Sequence, residues 1–504
     1  MNKRKLYPSG ICLMILLMFY PLIFSKAYSG ILEIKYLSFI IIATTMIYFY
    51  AMERLILCNL SSLKASNILQ SVKTLSLTDI SMLIFLLICI LSVIFSDYRI
   101  EAFTGSCSNN MGLIYYIALV SVYFVVSRIN IRKKYIFIAC MISFSIIIIF
   151  SFIQFMGYDL FNLIGSINDD LRINYLSTLG NTNIYSAFLC LFTPVFMACA
   201  VLSRKLKLRS YFYAMSFLGY IGLFTANSDG GYAGFFTAFV LVLLIAVNYK
   251  ERIIRFLYLC FLYCISTCVF LFFHNIFSDT ARPLSDITKF MVYGSATKIL
   301  LILFVILIVI VDRFKSKIKN EDNIRNISRF AIIAFLIMLA LLFIASNVDK
   351  VFSLGILDRY FKFTNDWGTG RGYVWKWCLN IFGEGTLINK LFGFGTGTCS
   401  IELLSAYSHE MRYSLGYYFT TAHNEFLEIL LNVGILGLLS YISVIIATIV
   451  KNIKNREYFN IQFTVGIIAY CIQSMFIAMQ PVVIPLVFVF LGLANNIAID
   501  KERI

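Results

Sequence analysis

The residues able to do chemistry gather in one stretch, Gly370 to Gly437. It opens GRGYVWKW (Gly370 to Trp377), passes through GFGTG (Gly393 to Gly397) and closes AHNEFLEILLNVGILGL (Ala422 to Leu438). Arg371 follows Gly368, Thr369 and Gly370, and glycines allow a ligand to approach the backbone closely. A guanidinium held there can grip a diphosphate with two parallel hydrogen bonds, where a lysine acts only as a point charge. The bland alternative is an arginine snorkelling to lipid phosphates, with Trp375 and Trp377 as interfacial belt residues. His423 stands at the start of an apolar run beside Asn424 and Glu425. An imidazole that titrates near neutrality can take a proton from a sugar hydroxyl while a neighbour fixes its tautomer. Alternatively it is a helix-entry histidine, with Asn424 as cap and Glu425 suited to the helix dipole. His274 and His409 lack such company and read as structural. GFGTG lacks the lysine of a phosphate-binding loop and reads as a tight turn. No HxxxH, HExxH or DxD spacing occurs, so the sequence predicts no tightly bound metal and no cofactor.

The surroundings explain why polar residues stand out. Sixty per cent of the 504 residues are hydrophobic and 13% charged, with a mean hydropathy of +0.85. Many apolar runs reach the roughly 17 to 25 residues that a bilayer crossing needs. The expected fold is all-α: a polytopic membrane protein with about 14 transmembrane helices by hydropathy. Lys and Arg number 42 against 26 Asp and Glu, and the excess of +16 reads as positive-inside bias rather than nucleic-acid binding. Cysteines inside apolar runs, such as Cys89, Cys140, Cys190 and Cys260, read as small hydrophobes. Cys107, Cys378 and Cys399 fall in segments expected outside, where three cannot pair without leaving one over.

Basic loops alternate along the chain, for example Arg128 with Arg132 to Lys134, and Arg204 to Arg209. Their sidedness puts both termini in the cytoplasm. The first apolar run, after MNKRK, reads as an uncleaved span although Ala27-Tyr28-Ser29 resembles a signal-cleavage site. Three regions follow: N-terminal membrane helices over 1–346 (about 11), a long extracytoplasmic loop over 347–424, and C-terminal membrane helices over 425–504 (about three). The loop is too apolar for disorder and reads as amphipathic helices lying on the outer surface.

The run TGRGYVWKW, then LFGFGTG, then AHNEFLEILLNVGILGLLSY resembles the signature of the O-antigen ligase and polymerase family of bacterial membrane proteins. STLGNTNIYSAFL (Ser177 to Leu189) is similar to that family's Gly-Asn-Pro-Asn motif, with Thr182 in place of the proline. The resemblance implies a membrane glycosyltransferase that needs neither metal nor nucleotide sugar. It would move a glycan from an undecaprenyl-diphosphate carrier to an acceptor hydroxyl at the outer face of the cytoplasmic membrane. By motif position, Arg371 matches an arginine that holds the diphosphate, and His423 a histidine that activates the acceptor. Asn181, Asn183, Asn424 and Glu425 fall in the matching motifs as substrate-binding candidates. In TANSDGGYAG, Asp229 stands where the family commonly has arginine, and FTGSCSNNMGLIYY lacks the arginine often found near Asn109. Other outside cations are then candidates to substitute: Arg172, Arg282, Arg359 and Arg412. Asp229 itself could bind a sugar hydroxyl or favour a helix start.

The implied partners are a lipid-linked oligosaccharide donor, a glycan or surface-polymer acceptor and membrane lipids. Polymerase and ligase share these motifs and differ only in acceptor; a tilt towards polymerase comes from residue usage suggesting an AT-rich, Gram-positive genome. A flippase of lipid-linked glycans would have as many spans, but would carry ionisable residues at mid-membrane. Here the span interiors are nearly free of charge. A non-catalytic scaffold would leave Arg371 and His423 pointing apart.

Overall fold

The computed structural model describes residues 7–57, 75–105, 110–165, 167–314, 321–348, 358–454 and 460–496. Cys107 and Asn109 lie outside these residues, as do the basic positions Lys64, Lys73, Lys501 and Arg503. The first helices are α1 (Pro8–Met18), α2 (Ile31–Leu57), α3 (Leu77–Phe95), α4 (Leu113–Val126) and α5 (Lys133–Phe155). There follow α6 (Thr182–Leu202), α7 (Leu206–Ala226), α8 (Asp229–Ala246), α9 (Lys250–Ile276), α10 (Ser295–Phe314) and α11 (Glu321–Val348). After them come α12 (Trp367–Glu384), α13 (Leu387–Phe392) and α14 (Cys399–Ser414), then α15 (Glu425–Lys454), α16 (Ile461–Gln473) and α17 (Ile484–Ala494). The strands among the described residues are β1 (Tyr175–Leu176) and β2 (Gly180–Asn181), which pair antiparallel with Tyr175 opposite Asn181. The expected all-helical architecture is therefore present.

Eight helices are long and apolar enough to cross a membrane, and five further apolar helices span 10–17 residues. α6 is the hub, because every residue of its most apolar window is buried. Its neighbours come close through glycine. A Cβ on Gly219 of α7 would lie 2.3 Å from Thr193, one on Gly234 of α8 2.6 Å from Cys190, and one on Gly466 of α16 2.3 Å from the Leu191 carbonyl. Small residues at crossings let backbones meet, which is how helices associate where lipid removes the hydrophobic driving force between them. At the other extreme α10 buries 6% of its apolar window, presenting Ile299, Ile302 and Val309 outward where only an apolar solvent suits them.

α15 is broken. Gly434 takes φ 72°, ψ −176°, a conformation essentially reserved for glycine. The break frees backbone groups that the GFGTG segment satisfies: Phe394 N donates to Leu431 O at 2.9 Å and Gly395 N to Asn432 O at 3.0 Å. The Asn432 side chain accepts from Cys399 N at 2.9 Å, and Ser92 of α3 donates to Asn432 O at 2.6 Å. GFGTG is thus more than a tight turn: it docks onto the helix break.

The segment 358–424 has its own core of Val374, Trp377, Cys378, Ile381, Cys399, Leu403, Met411, Phe419 and Ala422, continuous with Leu431 of α15. The helices of this segment pack round that core. Trp377 is 3% exposed and stacks on Tyr407 with centroids 5.4 Å apart, so it is a core residue and not a belt residue. Cys378 and Cys399, expected only to be two of three outside cysteines, are both buried in this core.

Candidate active site

Arg371 is placed by backbone that few sequences allow. Gly368, Thr369 and Gly370 all adopt left-handed φ, of 61°, 60° and 85°, before the chain turns into the regular part of α12. Two glycines make that turn cheap, and Thr369 bears the strain of a side chain in the left-handed region. The turn folds Arg371 back on itself, Nη1 donating to Gly368 O at 2.7 Å. The side chain is half-buried, and its Nε is buried without a hydrogen-bond partner. Burial lowers the Arg371 pKa from its ordinary value, opposed by the Asp229 carboxylate and the Tyr417 hydroxyl nearby. An incompletely satisfied cation of this kind favours an anionic ligand.

His423 comes from the segment that enters α15. It too is strained, with φ 46°, and non-glycine residues held in this region cluster where surrounding structure over-determines them. Phe419 packs edge-on against the imidazole at 5.2 Å and stands beside Tyr417 at the same centroid distance. Tyr417 in turn donates to Thr369 O at 3.3 Å, and a Cβ on Gly370 would meet Leu415 and the Tyr417 hydroxyl, each at 3.3 Å. The segment Leu415 to Phe419 therefore binds the arginine turn to the histidine. Burial, and secondarily the Arg371 guanidinium, hold the His423 pKa down to about 4. The imidazole is neutral at physiological pH, the form that accepts a proton.

The neighbours expected to serve His423 do other work. Asn424 caps α15, its Oδ1 accepting from Phe426 N at 3.0 Å and Leu427 N at 3.2 Å. Glu425 is buried, and its two carboxylate oxygens each accept a hydroxyl at 2.5 Å, from Tyr441 and from Tyr470 of α16. This clasp spans the break in α15 and ties it to α16.

The remaining expected residues divide. Asp229, in the first turn of α8, acts electrostatically on Arg371. Asn183 reaches the same junction, its Oδ1 accepting from Ser228 at 2.8 Å, while Asn181 caps α6 through Asn183 N at 2.8 Å. Arg172 is elsewhere, paired with Asp169 at 2.7 Å in a cavity that also contains Arg282. Arg412 is exposed on the last turn of α14, and Arg359 lies in the short helix Asp358–Phe361 with its side chain outside the described residues. His274 is held between the Tyr293 hydroxyl at 3.0 Å and Arg282 O at 3.3 Å, as a structural histidine would be.

Sequence reading missed Tyr417 and Gln473. Gln473 Nε2 donates to Asn183 O and to the Ser186 hydroxyl, both at 2.9 Å, and its buried Oε1 has no partner. A glutamine in an apolar run, one of two there with Gln462, was the available signal. Tyr417 had none, lying in an aromatic-rich stretch, YSLGYYFTT, where each tyrosine looks alike.

An all-helical chain with eight helices long and apolar enough to cross a membrane is consistent with a multi-pass membrane protein, and it carries a polar cluster of arginine, acid and imidazole. The family model described as O-antigen ligase matches residues 287–442, a segment that contains Arg371, GFGTG and His423. That match supports the O-antigen ligase and polymerase family for this chain. No curated protein matches the chain.

Proposed function

We propose that the protein transfers or polymerises an undecaprenyl-diphosphate-linked glycan on the outer face of the cytoplasmic membrane, without a metal. The O-antigen ligase match supports glycan transfer in general. The observation that carries the mechanism is that the Leu415 to Phe419 segment brings Arg371 and His423 together: Tyr417 donates to Thr369 O at 3.3 Å in the turn before Arg371, and Phe419 packs edge-on against His423 at 5.2 Å. That proximity favours a shared site over a scaffold that leaves the two apart.

In the proposed reaction an acceptor hydroxyl oxygen attacks the anomeric carbon of the donor sugar. His423 takes the hydroxyl proton as the new C–O bond forms. The bond from anomeric carbon to diphosphate breaks, and its electron pair leaves on the carrier diphosphate. Arg371 stabilises that developing charge at a water-poor boundary, where a charge-assisted bond is strongest. Asn183 and Asp229 would accept hydrogen bonds from sugar hydroxyls. Fourteen crossings, the outward-facing site and cytoplasmic termini belong to this reading, supported by the hydropathy and the basic loops. A flippase is less well served, since the ionisable cluster sits at helix ends and in the 358–424 segment. Transfer from an undecaprenyl-diphosphate donor by purified protein tests the proposal: Arg371→Ala and His423→Ala should both lose it, and unchanged transfer in both variants removes the mechanism.

A further inference from the structure

A second polar site lies on the loops that follow α5 and α9. They enclose a cavity of about 650 Å³ lined by Gln154, Asp159, Asn162, Asp169, Arg172 and Arg282, among other residues. That volume lies inside the roughly 300 to 1,000 Å³ typical of small-molecule pockets. The two loops are stitched together rather than loosely apposed. Arg282 N donates to Phe155 O at 3.0 Å, the Thr280 hydroxyl to Met156 O at 2.8 Å, and Arg282 Nη1 to Tyr175 O at 2.7 Å. Asp159 fixes the floor, accepting from Ile164 N at 2.6 Å and from Gln154 Nε2 at 3.2 Å.

Arg282 is a cation of this cavity's wall. It is half-buried, and among the described residues its guanidinium hydrogen-bonds only to Tyr175 O and pairs with no carboxylate. One of its five N–H donors is thus spoken for by Tyr175 O, and the Tyr28 hydroxyl and the Asp159 carboxylate act on its charge from nearby. The lining balances two carboxylates, Asp159 and Asp169, against two guanidiniums, Arg172 and Arg282. A diphosphate would meet repulsion from the acids. A ligand with many hydroxyls suits the set, because carboxylates and amides accept O–H donors while guanidiniums donate to hydroxyl and carbonyl oxygens. The position relates the cavity to the site above. Pro283, also in its wall, accepts from Asn227 Nδ2 at 3.1 Å, and two residues on Asp229 acts on Arg371.

The geometry points to a glycan-binding subsite here, one that holds sugar residues of the lipid-linked substrate beyond those at the reacting bond. It rests on the proposed glycan transfer. Arg282 and Asn162 would contact the sugars, and Asp169 with Arg172 would form the rim.

The test uses the full chain in lipid nanodiscs and, as probe, the repeat oligosaccharide released from the producing cell's own lipid-linked pool and freed of carrier and phosphate. Saturation-transfer NMR should show binding to the wild type. Binding should fall about tenfold in Arg282→Gln, the loss expected for one charge-assisted bond at about 1.4 kcal/mol. It should fall similarly in Ile173→Trp, which fills the cavity from a half-exposed wall position and keeps the test alive if Arg282→Gln misfolds. Arg371→Ala should still bind this phosphate-free probe. With the intact lipid-linked donor, both cavity variants should raise KM with kcat little changed. Equal probe binding in wild type and cavity variants overturns the subsite, as does loss of binding in Arg371→Ala alone. Failure of the wild type to transfer at all would instead overturn the proposed reaction.

Discussion

His423 combines two features that a helix-entry histidine does not need: a left-handed backbone at φ 46° and an imidazole kept neutral. The strain costs about 1 kcal/mol or more and is sustained by the packing of Phe419 and the cap that Asn424 gives α15. With its pKa depressed to about 4, the imidazole stays a base through the whole physiological range and is protonated only as pH falls towards 4. The sign follows directly: activity limited by His423 should be flat from about pH 8 down to about 5.5 and fall below that, rather than fall through pH 6.5 as for an unperturbed imidazole. A kcat/KM profile that halves near pH 6.5 would contradict it. His423→Ala should cost about 10²- to 10⁴-fold in kcat, the usual worth of a positioned general base. Arg371 yields a different signature. Arg371→Lys keeps a positive charge but loses the planar fork, so a donor whose diphosphate is held bidentately should bind at least about tenfold more weakly. A lysine variant indistinguishable from wild type would reduce Arg371 to a point charge.

Between these residues and the whole chain stand two glycine-dependent elements, the left-handed turn before Arg371 and the break in α15. At the break the requirement is steric as well as conformational. A Cβ on Gly434 would lie 2.4 Å from the Leu391 carbonyl carbon, and one on Gly393 2.4 Å from Asn432 backbone. Gly434→Ala should therefore destabilise the protein by roughly 3 kcal/mol or more and lower its melting temperature in detergent, even though the substituted residue is far smaller than its neighbours. A melting curve matching wild type would mean that the break is not required. The Glu425 clasp has a milder expectation: Tyr470→Phe removes one of two hydroxyls from a buried carboxyl and should cost about 1 to 3 kcal/mol in the same assay. The sequence showed that these motifs mattered but not what each was for. Arg371 and His423 could be singled out because polar residues against an apolar trend are conspicuous, and Asp229 because it stands where the resembled motif commonly has arginine. That GFGTG satisfies the backbone freed at Asn432 could not be seen, because pairing between a loop and a broken helix leaves no periodicity. Glu425 looked like a partner for His423 by adjacency, yet its helical position turns it towards Tyr441 and Tyr470.

At the scale of the whole molecule, hydropathy foresaw an all-helical apolar chain because apolar length is what a membrane demands; of the about 14 spans expected, eight described helices are long and apolar enough to cross. It could not rank them. α6 and α10 read alike as apolar runs, yet one is the buried hub and the other buries almost none of its apolar window. The difference lies in which neighbours carry glycine at the crossing points, a pairwise property that no single run encodes. Sidedness is the remaining large-scale question, and it has a direct readout. The proposed reading, from the basic loops, has Lys207 inside and the 358–424 segment, with Tyr413 94% exposed on α14, outside. In intact cells a membrane-impermeant maleimide should label a Tyr413→Cys variant above the background of the parent chain. Lys207→Cys should be labelled only after permeabilisation. Labelling in the reverse pattern would put Arg371 and His423 on the cytoplasmic face, where a glycan carried on an outward-facing lipid diphosphate could not reach them, and the proposed reaction would fall with it.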